Sequence, residues 1–122
     1  AATMPVSAYT SGSISCPYSS GWVNIQSVSI TTIGGTVSII ASCLATGNNY
    51  AQFRVRRGGT TTIWETGGWT VIPMNYPAII SFAITDSPGS GSNTYYFDCY
   101  GYGDQYKVAC SCRSLVLLES RR

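Results

Sequence analysis

The feature that most limits how this chain can fold is its punctuation. Breaks rich in glycine, proline or asparagine fall at 34–35, 46–49, 58–59, 67–68, 73–77, 87–92 and 101–104. They cut the chain into stretches of roughly 8–12 residues, the spacing of a β-sandwich or barrel. Within the stretches apolar and polar residues alternate, which puts one face of an extended strand inward and the other outward. No stretch shows sustained helical periodicity, and there is no internal repeat. The expectation is an all-β antiparallel sandwich, jelly-roll-like, with about eight strands.

The strands can be placed. Residues 22–33 carry Val23, Ile25, Val28 and Ile30 as apolar anchors, and Gly34-Gly35 reads as a two-residue hairpin turn. In 36–45, Val37, Ile39, Ala41 and Cys43 share one face against Thr36, Ser38 and Ser42. In 50–57, Ala51, Phe53 and Val55 point in while Gln52, Arg54 and Arg56 point out. Short strands follow at 60–65 and 69–72, then the most hydrophobic one at 78–86, with Ile80, Phe82 and Ile84 inward. A tyrosine-rich strand at 93–102 has 105–112 as its expected hairpin partner, and 113–119 closes the chain with Leu115 and Leu117 inward. Residues 1–21, rich in Ser, Thr, Gly and Pro, read as an extended N-terminal arm docked on the domain or on a neighbour, leaving 22–122 as the sandwich. Its removal is expected to weaken binding to a neighbour while leaving the domain folded.

Length suits one domain with one core: 122 residues, 44% hydrophobic. Only 10% are charged, where roughly 25% is usual. A surface that poor in charge resists association weakly and suits a domain that lives inside an assembly. The net charge of +2 comes from dispersed basic residues; Arg54, Arg56 and Arg57 form the one cluster, read as the solvent face of a strand and its turn. That is no cationic stripe, so no nucleic-acid partner is expected. No run approaches the ~20 apolar residues of a bilayer span, so no membrane partner is expected either. Nothing at the N-terminus reads as a signal peptide. The first residue is Ala1, and both a trimmed initiator Met and a cut precursor remain open.

Catalysis finds little to work with. There is no His, which removes Ser–His and Cys–His nucleophilic sites in their usual form. Of the five carboxylates, Asp98 and Asp104 flank one hairpin, but they read as a solvated strand residue and a turn residue. Glycine pairs such as 67–68 are turn glycines, with no phosphate-cradling loop. The five cysteines, Cys16, Cys43, Cys99, Cys110 and Cys112, match no zinc spacing and read as small buried hydrophobes. Cys110 and Cys112 would share a strand face. An odd count leaves at least one thiol unpaired within a monomer; one or two disulfides are the alternative, and the pairing stays open. The expectation is no enzyme, no cofactor and no metal.

Binding surface is easier to place. Tyr96, Tyr100 and Tyr102 alternate against Tyr95, Phe97 and Cys99, and with Tyr106, Trp64 and Trp69 they are the candidate subunit- or partner-contact residues. A core role for the tyrosines, and sugar stacking or core packing for Trp22, Trp64 and Trp69, are the alternatives. Asp86, Pro88 and Gly89 form a turn motif: Asp86 caps, Pro88 presets φ and Gly89 supplies the positive φ of a type II turn.

Residues 79–96, a strand followed by Asp86-Ser87-Pro88-Gly89-Ser90-Gly91 and then Thr94-Tyr95, resemble small jelly-roll domains of tailed bacteriophages. Arg113-Ser114-Leu115-Val116-Leu117-Leu118-Glu119 is similar to the final strand that accompanies that pattern, and Phe53-Arg54-Val55-Arg56-Arg57-Gly58-Gly59-Thr60 to a strand and turn in its middle. Such domains occur in capsid decoration (cement) proteins and at tail-fibre tips, and they resemble the tumour-necrosis-factor and C1q fold. The five cysteines depart from the pattern. The resemblance implies a homotrimer on the virion surface, assembled in the host cytoplasm, that binds the major capsid protein or another virion protein and stabilises the capsid. Its alternative is a fibre tip recognising a host surface glycan or receptor. A small hydrolase acting through Asp98 and Asp104 is a remote third.

Overall fold

The computed structural model describes residues 5–47, 49–73, 76–102 and 108–120. Its strands are β1 (Val6–Thr10), β2 (Ile14–Cys16), β3 (Trp22–Ile33), β4 (Thr36–Thr46), β5 (Asn49–Arg57), β6 (Thr61–Glu65), β7 (Thr70–Ile72), β8 (Ala78–Asp86), β9 (Ser90–Tyr102) and β10 (Val108–Ser120). A 3-10 turn, Tyr18–Ser20, precedes β3. The strands form two antiparallel sheets. One runs β1-β10-β4-β8, with β2 also on β10; the other runs β3-β9-β5-β6, with β7 also on β5. Because β1 and β2 share one neighbour, and β6 and β7 another, the ten strands fill eight places. Numbered by place, the sheets read 1-8-3-6 and 2-7-4-5, so successive strands alternate between sheets except at the 4–5 hairpin. This is the wrapping of a jelly roll.

That wrapping corrects three local expectations. Gly34-Gly35 is not a hairpin turn, because β3 and β4 lie in opposite sheets and the glycines carry the chain round the sandwich edge. The strand after β9 is not its hairpin partner: β9 pairs with β3 and β5, while β10 pairs with β4, β1 and β2. The two strands read at 105–112 and 113–119 are one, β10, from Val108 to Ser120. The supposed arm is also part of a sheet. Residues 6–10 pair with 113–117 and residues 14–16 with 108–110, and Cys16 is fully buried.

The core lies between the sheets. From β4 it takes Val37, Ile39, Ala41, Cys43 and Ala45, from β5 Ala51, Phe53 and Val55, and from β9 Tyr95, Phe97 and Cys99, all buried on strict alternation. Among the described residues three strands break alternation, each at a bulge; in β6 the register passes from Val55↔Trp64 to Arg56↔Thr62. In β3 the register passes from Asn24↔Asp98 to Gln26↔Phe97, so Ile25 is an extra residue. This is why Val23 and Ile25, then Val28 and Ile30, can all face the core. In β10 the register passes from Ser111↔Leu44 to Ser114↔Ser42, again one extra residue, with Cys112 at φ 50. Inward positions therefore switch from Val108 and Cys110 to Leu115, Leu117 and Glu119. Cys112 does not share the face of Cys110; it is half-buried and its thiol hydrogen-bonds the exposed Tyr9. Bulges locally re-aim side chains in this way.

Among the described residues Thr32, Asp98 and Glu119 are the buried polar ones, and Asp86 is half-buried. Glu119 faces inward at the β3–β4 corner and accepts the Ile33 and Gly35 N–H groups at 2.9 and 2.7 Å. Thr32 is held by the Gly89 carbonyl. Asp86, read as a turn cap, instead accepts from Arg57 and from the buried Tyr95 hydroxyl, both at 2.7 Å. Burial, then that bond, push the Tyr95 phenol well above its ordinary pKa. Gly89 does take positive φ, 82°. The connection it forms crosses between sheets, from β8 to β9.

Candidate contact surface and buried cysteine cluster

The outer face of the β3-β9-β5 sheet is built from three cross-strand rows. The first is Asn24–Asp98–Arg54, the second Trp22–Tyr100–Gln52, and the third Tyr102–Tyr50–Val71. Every second residue of β9 from Tyr96 to Tyr102 thus faces outward, as the alternation requires. The tyrosines do not stand alone. Tyr100 lies 5.7 Å from Tyr18, 5.4 Å from Trp22 and 5.4 Å from Trp69, while Tyr102 lies 5.3 Å from Tyr18, 5.3 Å from Trp69 and 6.0 Å from Tyr50, centroid to centroid. Most of these pairs are edge-to-face, the arrangement the ring quadrupoles favour. The result is an aromatic plate whose rim stays exposed: Tyr18 45%, Tyr50 45%, Trp69 41% and Tyr102 48%. Tyr50, Trp69 and Tyr102 line a shallow depression of about 340 Å³.

Beside the plate, on the same face, sits Asp98, read from sequence as solvated and in fact 1% exposed. It accepts hydrogen bonds from Asn24 Nδ2 at 3.1 Å, Arg54 Nε at 2.8 Å, and Arg56 through Nε and through Nη2 at 3.2 Å. The two guanidiniums are in turn covered by rings, Arg54 4.3 Å over Trp22 and Arg56 4.6 Å over Tyr96. So the Arg54 and Arg56 side chains, expected to stand free on a solvent face, are clamped to a carboxylate, and Arg57 pairs with Asp86. An aspartate with both oxygens so engaged holds the sheet surface in place; as placed, it offers no free oxygen to a sugar.

Of the six contact candidates, Tyr100, Tyr102 and Trp69 come together in the plate, and Tyr96 lies beside it under Arg56. Trp64 does not join them: it pairs with the inward Val55 and packs on Phe82 of the opposite sheet at 4.3 Å, closing the seam of the sandwich. Tyr106 and Asp104 lie outside the described residues. Sequence reasoning missed Tyr18 and Tyr50 as plate members; Tyr50 directly opposite Tyr102 was readable only once β5 and β9 were known to be neighbours.

The outer face of the other sheet is different. Its rows Val116–Ile40–Ala83, Leu118–Ser38–Thr85 and Ser114–Ser42–Ser81 carry no charge, and Ile79, Ile40 and Leu118 are exposed at 80%, 49% and 37%.

Three of the five cysteines meet inside the sandwich. Cys16 from β2, Cys99 from β9 and Cys110 from β10 are fully buried, with their sulfurs all within 4.8 Å of one another. They hydrogen-bond among themselves. The bond to Cys110, above all, pushes the Cys16 thiol up to about 12, and bonds to Cys110 and Cys16 together with burial hold Cys99 higher still. The sheets approach so closely here that a Cβ on Gly101 would stand 2.0 Å from the Cys16 carbonyl oxygen.

No protein-family model matches the chain, and no curated protein sequence matches it. Solved structures do. The structure of infectious bursal disease virus, Gx strain, superposes with a TM-score of 0.66 at 12% identity, over 96% of this chain and 32% of that one. A subviral particle of VP2 from the same virus gives 0.63 at 12% identity, over 97% and 32%. The insecticidal delta-endotoxin Cry8Ea1 of Bacillus thuringiensis gives 0.53 at 14% identity, over 96% and 20%. The chain therefore spans about a third of the viral chains it resembles and less of the toxin. At these identities the likeness is one of fold alone, a β-sandwich.

Proposed function

We propose that this chain is a structural virion protein that works by assembly, of the capsid-decoration type, in which copies associate as a homotrimer through the aromatic plate. The observation that carries the reading is the plate itself: six rings linked by contacts, four of them well exposed, flanked by the Asp98–Arg54–Arg56 network through Arg54 over Trp22. Rigid aromatic surface is what protein interfaces are enriched in, because it gives large contact area for few rotatable bonds. The charge-free outer face of the opposite sheet leaves a second surface for the major capsid protein or another virion protein, and a jelly roll similar to capsid chains suits that setting. Many weak copies of one contact over a shell add by multivalency. Catalysis has no part in this reading.

The test is paired substitution at the rim. Trp69→Ser with Tyr102→Ser is expected to convert the trimer to monomer in sedimentation velocity, with the fold retained by circular dichroism. Retention of the wild-type mass would remove the plate as the contact. The depression between Tyr50, Trp69 and Tyr102 favours one second reading, a host-attachment tip that stacks a glycan ring there. In that case the same variant keeps its mass and loses binding to host cells.

A further inference from the structure

The buried cysteines call for an account beyond assembly. Three thiols converge from three strands belonging to both sheets, and their sulfurs lie within 4.8 Å of one another. Three sulfurs each about 2.3 Å from one ion would stand about 4 Å apart, so the tripod needs only a small contraction to close. Among the described residues no fourth sulfur, imidazole or carboxylate joins the group. Zinc in structural sites takes four ligands, so a sulfur-only, three-ligand, dry site is a poor match to it. Soft thiolate ligands with low coordination select monovalent copper. We propose that Cys16, Cys99 and Cys110 form a three-sulfur site for a single monovalent copper ion, which ties β2 and β10 of one sheet to β9 of the other.

The protons and charges balance as Cu⁺ plus three thiols giving a complex of two thiolates and one thiol, with two protons released. The centre then carries one negative charge. Arg113, which donates to the Ile25 carbonyl at 2.8 Å, lies close enough for its positive charge to favour the Cys16 thiolate. One anion beside one cation limits the cost of burying charge. Cys43 and Cys112 lie outside the group and serve as controls.

The test uses the whole chain, reduced and under anaerobic conditions. Monovalent copper, added as its acetonitrile complex, is supplied both to the folded protein and during refolding, followed by a copper(I) chelator. Native mass spectrometry is expected to find one copper retained per chain, X-ray absorption three sulfur neighbours, and the thermal midpoint a rise. Cys110→Ser and Cys110→Ala, each checked for fold by circular dichroism, are expected to retain none, while Cys43→Ser and Cys112→Ser retain one. Copper refused under both loading conditions overturns the proposal. So does equal retention by the Cys110 variants, loss on changing Cys112 alone, or a chain lighter by two hydrogens that carries a disulfide within the trio.

Discussion

Replacing Asp98 by Ala separates the structure from the reading its sequence invites. A solvated strand residue would cost within about 0.5 kcal/mol. The structure instead buries Asp98 and has it receive Asn24, Arg54 and Arg56. Removing one partner of a buried ion pair costs about 3–5 kcal/mol, because the remaining charges are left without compensation. Here the arginine side chains are 20% and 18% exposed, so they can recover some water, and the low end, about 3 kcal/mol, applies. With a urea m-value of about 2 kcal/mol/M, the midpoint should fall by about 1.5 M. Trp22 fluorescence follows the transition at the site, since Arg54 lies over that ring. Replacing the whole group, Asp98→Leu with Arg54→Met and Arg56→Met, should recover most of the loss, because no unpaired charge remains. A shift below about 0.3 M for Asp98→Ala, or no recovery in the triple variant, would refute the reasoning.

Three further outcomes follow from the same geometry. Gly101→Ala should cost more than about 2 kcal/mol or prevent folding, since its Cβ meets the Cys16 carbonyl, whereas Gly12→Ala, with open space around it, should be near neutral; thermal denaturation compares them. Stability should fall at alkaline pH. Cys16, Cys99 and Tyr95 have raised folded pKa values, so their contribution is whole below about 8.5, where unfolded thiols begin to ionise, and declines as pH rises towards 12; a flat urea midpoint from pH 8 to 11 would contradict this. Deleting residues 1–16 should cost on the order of 4 kcal/mol through lost burial of Val6, Ile14 and Cys16, and should leave β10 as an open, aggregation-prone edge; a truncated chain of wild-type thermal midpoint would show those strands to be dispensable.

What could be read in advance was local. The alternation in 36–45 and 50–57, and the β-branched run of 22–33, placed those strands and their inward faces, because burial of one strand face is written into every second residue. Partners were not legible. Gly34-Gly35 is as suitable for a hairpin as for an edge crossing, and only the opposing sheet decides between them. The bulge at Cys112 reverses parity within one strand, so counting by twos from Cys110 gives the wrong face for Cys112 and omits Glu119 from the core. Asp98 was misread for a related reason. It lies on the outer face, where alternation implies solvent, and what buries it is the pair of arginines opposite and the rings above them. Of the aromatic plate, Tyr100 and Tyr102 were visible as β9 tyrosines and Trp69 as a candidate contact; Tyr18, Trp22 and Tyr50 reach it from other strands and a turn. Cys16 joins the trio from the far end of the chain, whereas Cys99 and Cys110 come from successive strands of opposite sheets, and spacing along the chain carries no sign of the meeting.

The central claim, that the chain acts by self-assembly, is tested most directly by its native mass. Light scattering on the purified chain, with and without reductant, is expected to give a stable species near three times 13.0 kDa in both conditions. A monomer at every concentration reached would contradict the claim, and an oligomer that reductant dissolves would replace the aromatic plate with an intermolecular disulfide as its cause.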